Sequence, residues 1–324
     1  MRTSPVLPLL ALALLALASL VLALSTGSIA LGWNDWVMAL SGQAGIAHDL
    51  VWQLRLPRAL SAFSVGALLA VAGALMQVLL RNPLADPYVL GISGGAAVGA
   101  LGATMLGAAA FGQSAGAFLG ALGSTMLVFG LAHGAGGWTQ SRLLLTGVVV
   151  AAGWGAVVTL MLALAPDQQL RGMLFWLIGD LSAAEPPWRA LAILLLGLAC
   201  ALPLSRELNV LARGDIAALS LGVEAGTLRP VVYLLASMLT AAAVTTAGSV
   251  GFVGLVVPHM VRLGMGNDLR VLLPGCALGG ASLVLLADTL ARSLLAPTQL
   301  PVGAITAVIG VPLFLYLLSR ESRS

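Results

Sequence analysis

The sequence predicts an all-α integral membrane protein of ten transmembrane helices. Three observations carry this. First, 60% of the 324 residues are hydrophobic and only 8% are charged, with a mean hydropathy of +1.04; no soluble globular domain has that balance. Second, apolar runs near the ~20 residues needed to cross a bilayer recur along the whole chain. Third, the polar residues gather into short clusters between those runs, as in WQLRLPRAL (52–60), LLRNPLADP (79–87) and LVVPHMVR (255–262). A charge in or beside a bilayer is costly, which makes these clusters the informative positions.

Taken in order, the runs at 5–27, 57–80, 88–110, 113–133, 142–165, 188–204, 230–250, 271–296 and 301–319 read as spans. A shorter run at 254–265 follows a Gly-rich break and contains Pro258, the pattern of a half-span or a buried re-entrant helix. The first run has the order of a secretory signal. Its apolar stretch from Val6 to Leu24 is longer than the usual signal core of about 7–15 residues, so it reads as an uncleaved span.

Charge sets the expected topology. Both termini carry Arg (Arg2; Arg320 and Arg323), which places both in the cytoplasm and requires an even number of crossings. The cytoplasmic side then holds Arg2, Arg81, Arg142, Arg206, Arg213, Arg229, Arg262, Arg270, Arg320 and Arg323. The outer side holds Arg55, Arg58, Arg171, Arg189 and Arg292, offset by Asp35, Asp49, Asp167, Asp180 and Glu185. The whole chain, 1–324, reads as one transmembrane domain.

Three connections are more than turns. The outer stretch 28–56 carries Trp33 and Trp36, residues suited to a membrane–water interface. The outer stretch 166–187 contains GMLFWLIGD, a short interfacial helix. The cytoplasmic stretch 205–229 reads as one or two short amphipathic helices. Within it, Gly214 and Gly222 bracket DIAALSL, which is too apolar for a solvated linker and calls for a partner protein over Ile216, Leu219 and Leu221.

Glycines four apart, Gly91/Gly95/Gly99, Gly116/Gly120 and Gly275/Gly279, let helix backbones approach closely. A faint internal repeat pairs AGALMQVLLRNP (72–83) with AGSVGFVGLVVP (247–258). If the second copy lies on the seventh span, the copies run in opposite senses, as in the inverted repeats of transporters.

Several classes are excluded. The basic residues are fifteen Arg and no Lys, and no phosphate-loop motif is present, so the chain is not an ATPase by itself. A net charge of +3, scattered along the chain, is no nucleic-acid footprint. Cys200, Cys276, His48, His133 and His259 sit apart and suggest neither disulfide nor metal site. Ser, His and Asp form no catalytic set, so no enzyme activity is expected.

The remaining polar residues suggest roles at the two mouths. Asp288 and Arg292, four apart on one helix face, form a structural ion pair. Arg55 and Arg58 flank Pro57 at the outer mouth, where cations can anchor at the interface or orient an acidic partner.

RLPRAL, GALLAVAGALMQVLLRNPLADPYVLGISGGAAVGA, SRLLLTG, GSVGFVGLVVPHMVRL, LLPGCALGGASLVLLADTLAR and QLPVG together resemble the membrane subunit of type II ABC importers, the iron-chelate, haem and cobalamin permeases. The resemblance runs from about residue 50 to the C-terminus. It implies a ten-span subunit forming a homodimer around a central path, with two cytoplasmic ATPase subunits below and a periplasmic substrate-binding protein above. ATP and magnesium would bind the ATPases, and no cofactor would bind this chain. Arg55, Arg58 and Arg292 match the family's outer arginines that meet acidic residues of the binding protein. LARGDIAALSLG matches the ATPase-coupling segment, which assigns coupling to Leu211, Gly214, Asp215, Ile216, Ala218, Leu221 and Gly222; Arg213 stands where Leu is common and Asp215 where Glu is common. Thr139 and Gln140 match the inner gate region but differ from its usual small hydroxyl pair. The cargo would be a ferric siderophore, haem or cobalamin. An ion-coupled secondary transporter is the alternative; it calls for several ionisable groups near the midplane, where this chain offers chiefly Asp288.

Overall fold

The computed structural model describes residues 6–27, 29, 31–42, 45–133, 139–182 and 186–321. Arg2, Glu185, Arg323 and the side chain of Arg320, named above for their charge, lie outside the described residues. The described chain is helical, with no strand among the described residues. In order it runs α1 (Val6–Ser25), α2 (Trp33–Leu40), α3 (Ile46–Asp49), a π-helical turn (Leu50–Arg55), α4 (Leu56–Leu79), a 3-10 turn (Pro87–Leu90), α5 (Ile92–Met105), α6 (Ala110–Ala132) and α7 (Gln140–Leu164). It continues through α8 (Asp167–Ile178), α9 (Trp188–Ala201), α10 (Ser205–Leu211), α11 (Asp215–Ser220), α12 (Ala225–Ala247), α13 (Val253–Met265), α14 (Leu269–Ser293) and α15 (Val302–Glu321).

Among the described residues, six helices are long and apolar enough to cross a membrane: α1, the continuous helix Ile46–Leu79, α6, α7, α12 and α14. The α9–α10 pair, bent by 67°, adds a seventh if taken as one span. The apolar parts of α5, α13 and α15 are shorter, at 10–17 residues. All ten expected runs are therefore helical, but α5 and α13 fall short of a full crossing by length alone. For α5 and α13 the reason is that the chain breaks inside the apolar run: residues 80–91 and 248–252 are not regular α-helix. The short helices expected outside the spans are present as α2, α8, α10 and α11.

The hub is α4, buried continuously from Ser64 to Leu79 with α9, α12, α13 and α14 around it. Glycine makes this possible. A β-carbon on Gly66 would overlap the Gly280 carbonyl of α14, and one on Gly73 would overlap the Gly254 backbone of α13. In α5 and α6, Gly95 and Gly99 lie against Gly120 and Gly116 in the same way, the close approach expected of small residues four apart. Gly275 and Gly279 face Val261 and Val257 of α13.

The two breaks have identifiable causes. After α4, Arg81 N donates to Val78 O at 3.2 Å and Asn82 N to Gln77 O at 3.1 Å, the paired closure of a Schellman motif. Its left-handed position, φ 47°, is held by Arg81 rather than by glycine. After α12, Gly248 at φ 67° and Phe252 at φ 68° turn the chain before α13. The segments meet where Val250 N donates to the Tyr88 hydroxyl at 3.2 Å. Asp86 closes its own side by accepting from Tyr88 N at 2.7 Å. Irregular backbone in a membrane protein is tolerated when it is enclosed by protein in this way.

One sequence expectation is corrected here. The second copy of the faint repeat, 247–258, does not lie along α12; it begins at the break and enters α13. Gly254 packs on Gly73, and Arg262, two turns further along α13, reaches Gln77 of α4. Helix α13 thus runs parallel to α4, and these two copies share one direction. The Ala-Gly that continues a helix in the first copy ends one in the second, because Gly248 takes a left-handed turn.

Candidate functional site

Polar side chains concentrate at the two ends of the bundle. At the first, the π-helical turn ahead of α4 swings Arg55 inward, where it is 4% exposed. Its NH1 donates to Leu24 O at 2.8 Å and Ser25 O at 3.2 Å, and its NH2 donates to Ile29 O. The Leu24 and Ser25 carbonyls are orphans at the end of α1 and Ile29 lies in the stretch that follows, so Arg55 caps that helix and holds its exit. One turn into α4, Arg58 donates to Asp288 from Nε at 3.1 Å and from NH2 at 2.8 Å, and from NH1 to Gln299 at 2.7 Å. Asp288, on α14, is 1% exposed. It also takes Arg292 at 3.3 Å, the i,i+4 pair anticipated from sequence. Arg292 NH2 reaches Ala23 O at 2.8 Å.

Arg55, Arg58 and Arg292 line one open cavity of about 320 Å³ with Gln53, Ser182 and Gln299. The structure brings the three docking candidates together, but each has partners inside the chain. Only part of each fork remains for an outside group. The cluster knits α1, α4 and α14, which its sequence separations did not reveal.

At the other end, α10 and α11 project the 205–229 segment. Leu211 and Ala218 are buried and anchor the short helices. Gly214 at φ 116° and Gly222 at φ 72° make the turns on either side of α11, a backbone conformation that side chains disfavour. Asp215 is half exposed and accepts from both Arg81 and Arg229. Ile216 is 87% exposed, Leu219 77% and Leu221 63%. The coupling candidates thus divide into anchors (Leu211, Ala218), hinges (Gly214, Gly222), a clasp (Asp215) and a bare apolar face (Ile216, Leu221, with Leu219).

Gate candidates Thr139 and Gln140 begin α7. Thr139 Oγ1 caps the helix by accepting from Arg142 N at 3.3 Å, and Gln140 Nε2 donates to Leu79 O at 3.3 Å, tying α7 to the end of α4. Asp268 caps α14 by accepting from Arg270 N at 3.1 Å and also accepts from Asn209 at 2.8 Å. Partial burial pulls its carboxyl upward, but these bonds and the Arg270 charge outweigh that and hold it below the usual carboxylate range. Among the described residues no His, Cys, Asp and Glu group is placed to hold a metal ion.

A family model described as the FecCD transport family matches residues 14–320. This chain belongs to that family. Its members are membrane permeases of type II ABC importers, and the chain is such a multi-pass permease. The vitamin B12 import system permease protein BtuC of Escherichia coli O127:H6 is 39% identical over 97% of this chain and 95% of the relative. That of Shigella sonnei is 40% identical with the same coverage. Among solved structures, a metal-chelate type ABC transporter in an inward-facing conformation superposes with a TM-score of 0.85 at 33% identity, covering 98% of this chain and 99% of that one. PsaBC from Streptococcus pneumoniae in complex with Fab superposes with a TM-score of 0.58 at 14% identity over 87% and 95% of the two chains, and shares the fold.

Sequence reading passed over Arg81, Arg229, Arg262 and Gln77 as site residues of this permease. Arg81 and Arg262 sit in two of the clusters that stood out by composition. The available signal was an Arg at the C-terminal end of each of two apolar runs, 57–80 and 254–265.

Proposed function

We propose that this permease forms a homodimer around a central path and imports a metal chelate, with cobalamin as the leading cargo. The periplasmic binding protein delivers it at the Arg55 mouth, and ATP hydrolysed on two cytoplasmic ATPase subunits drives the cycle through α11. Both termini and the 205–229 segment lie in the cytoplasm, and ten helical elements cross the membrane. The observation that carries this reading is the full-length likeness to vitamin B12 permeases, 39% over 97% of the chain, joined to an apolar α11 face that water alone does not favour.

Chemistry at the mouths supports the division of labour. A net-positive cluster at the first mouth favours an acidic surface, and charges of this type steer encounter and set orientation. The bare Ile216, Leu219 and Leu221 provide an apolar core for an interface, and the Asp215 clasp links that interface to the ends of α4 and α12 through Arg81 and Arg229. Movement of α11 by a partner is thereby passed to the hub helix.

Mild-detergent purification of the tagged full-length protein, with mass spectrometry of stoichiometric partners, tests the assembly. The expected result is a complex with an ATPase carrying a phosphate-loop motif, together with a binding protein that retains cyanocobalamin. A homomer that never yields an ATPase under cross-linking contradicts the importer reading. A binding protein that retains a ferric siderophore or haem instead changes the cargo alone.

A further inference from the structure

One cavity belongs neither to the Arg55 mouth nor to the apolar face of α11. It holds about 560 Å³ and lies where the C-terminal ends of α4 and α13, the turn between α10 and α11, and the start of α14 converge. Its charged lining is Arg81, Arg213, Arg262 and Asp268, with the amides of Asn82, Asn209 and Asn267 around them.

We propose that this cavity binds a phosphate-class anion, and that Arg262 and Arg213 are its principal ligands. The distribution of partners points there. Arg262 is half-buried on α13, and the one side-chain hydrogen bond it makes among the described residues goes to Gln77 Oε1. Gln77 is itself held by the Gly254 and Leu255 carbonyls at 3.4 and 3.3 Å. A guanidinium withdrawn from water beside an amide, with no carboxylate, lacks the counter-charge that such a site ordinarily supplies. The Arg213 side chain is exposed and makes no hydrogen bond or ion pair with any described residue; only its backbone N–H is engaged, donating to Val210 O at 3.0 Å. Arg81 gives NH2 to Asp215, but its Nε is buried without a partner.

The acidic side of the cavity is already engaged. Asp268 caps α14 and takes the Asn209 amide, while Asn209 Oδ1 accepts from Leu269 N at 3.0 Å. Three guanidiniums against one carboxylate leave a formal excess of two positive charges. Arginine forks match tetrahedral oxyanions in geometry as well as in charge. Arg81 also stands at a left-handed position, φ 47°, which glycine would occupy with less strain; the residue kept there supplies a cation to this cavity. An anion seated between Arg262 and Arg213 would join α13 to the α10–α11 turn and so bias the coupling segment.

Phosphate can come from solution or from a lipid headgroup, and two arms separate them. The purified full-length permease is placed in nanodiscs of phosphatidylcholine alone, and its thermal unfolding is followed as inorganic phosphate is titrated at constant ionic strength against chloride. A second set contains phosphatidylglycerol and no phosphate. The expected result is saturable stabilisation in one arm: in the first for a soluble anion, in the second for a headgroup. In R213Q, at an exposed position, and in R262Q, the apparent affinity falls by about tenfold or more, the scale of one lost charge-assisted contact, while R171Q on the far mouth matches wild type. If neither arm saturates, or if R213Q and R262Q respond as wild type does, the proposal is overturned. R213Q changes an exposed side chain and is expected to keep wild-type stability, so failure of R262Q to fold leaves that comparison intact. The result is independent of the importer reading, because no ATPase, binding protein or cargo enters the experiment.

Discussion

The two mouths are built from the same parts and differ in how those parts are used. Each cavity is lined by three arginines, with one aspartate paired behind the lining at the Arg55 mouth and one within the lining at the other end. At the Arg55 mouth the aspartate, Asp288, is 1% exposed, and the arginines close on it or on the carbonyls ending α1. At the coupling end the carboxylate that holds arginines is Asp215, whose side chain is 53% exposed, and two of the cavity's arginines have no acid of their own. The first arrangement is a clamp between spans. The second is a clasp on a small exposed helix beside an open cavity. Burial decides between them: a withdrawn ion pair is costly to break, whereas an exposed one contributes little.

The largest expected effect tests that difference directly. Asp288→Ala leaves Arg58 and Arg292 without their shared carboxylate and should cost about 3–5 kcal/mol, read as a loss of thermal stability in detergent. Asp215→Ala should cost about 0–1 kcal/mol yet reduce coupled ATP hydrolysis. Equal stability losses would break the comparison. Next comes Arg55→Lys, which keeps the charge but cannot reach three carbonyls with one ammonium. A loss of about 1–3 kcal/mol follows from carbonyls left unsatisfied, measured by the same unfolding. If Lys is fully tolerated, Arg55 is only a charge at the mouth and not a cap.

A smaller effect sharpens the other side. Arg81→Gly gains roughly 1 kcal/mol from relief of the left-handed backbone and loses a half-exposed ion pair of similar or lesser size. Its stability should stay near wild type while α11 becomes more open to amide exchange. The smallest effect concerns pH. Asp268 lies below the ordinary carboxylate value, so its contribution is present above about pH 4 and is lost as pH falls through its folded value. The stability gap between wild type and Asp268→Ala should therefore narrow below pH 4; a gap that stays constant there contradicts the assigned cap.

What the sequence made legible was local. Apolar runs gave the helices, the Asp288–Arg292 spacing gave their pairing, and the apolar run Ile216, Leu219 and Leu221 marked a segment whose apolar side chains stand exposed. What remained hidden was long-range or conformational. Nothing in the sequence pairs Arg58 with Asp288 across 230 positions. Nothing marks Arg81 as the left-handed residue of a helix end, because that role normally falls to glycine. The direction of the second repeat copy was misread because a chain break inside an apolar run leaves no mark in hydropathy. Helix α5 was overestimated, as 88–110 against Ile92–Met105, for a related reason: apolar length does not distinguish helix from the enclosed irregular backbone beside it.

ATP-driven uptake of labelled cyanocobalamin into proteoliposomes, with the permease, its co-purified ATPase and its binding protein, tests the central claim most directly. Wild type and Ile216→Asp should be compared side by side. The account predicts uptake that requires both ATP and the ATPase, and its loss in the variant with thermal stability unchanged within about 0.5 kcal/mol, as befits an exposed site. Uptake that proceeds on an imposed proton gradient with the ATPase absent would contradict it.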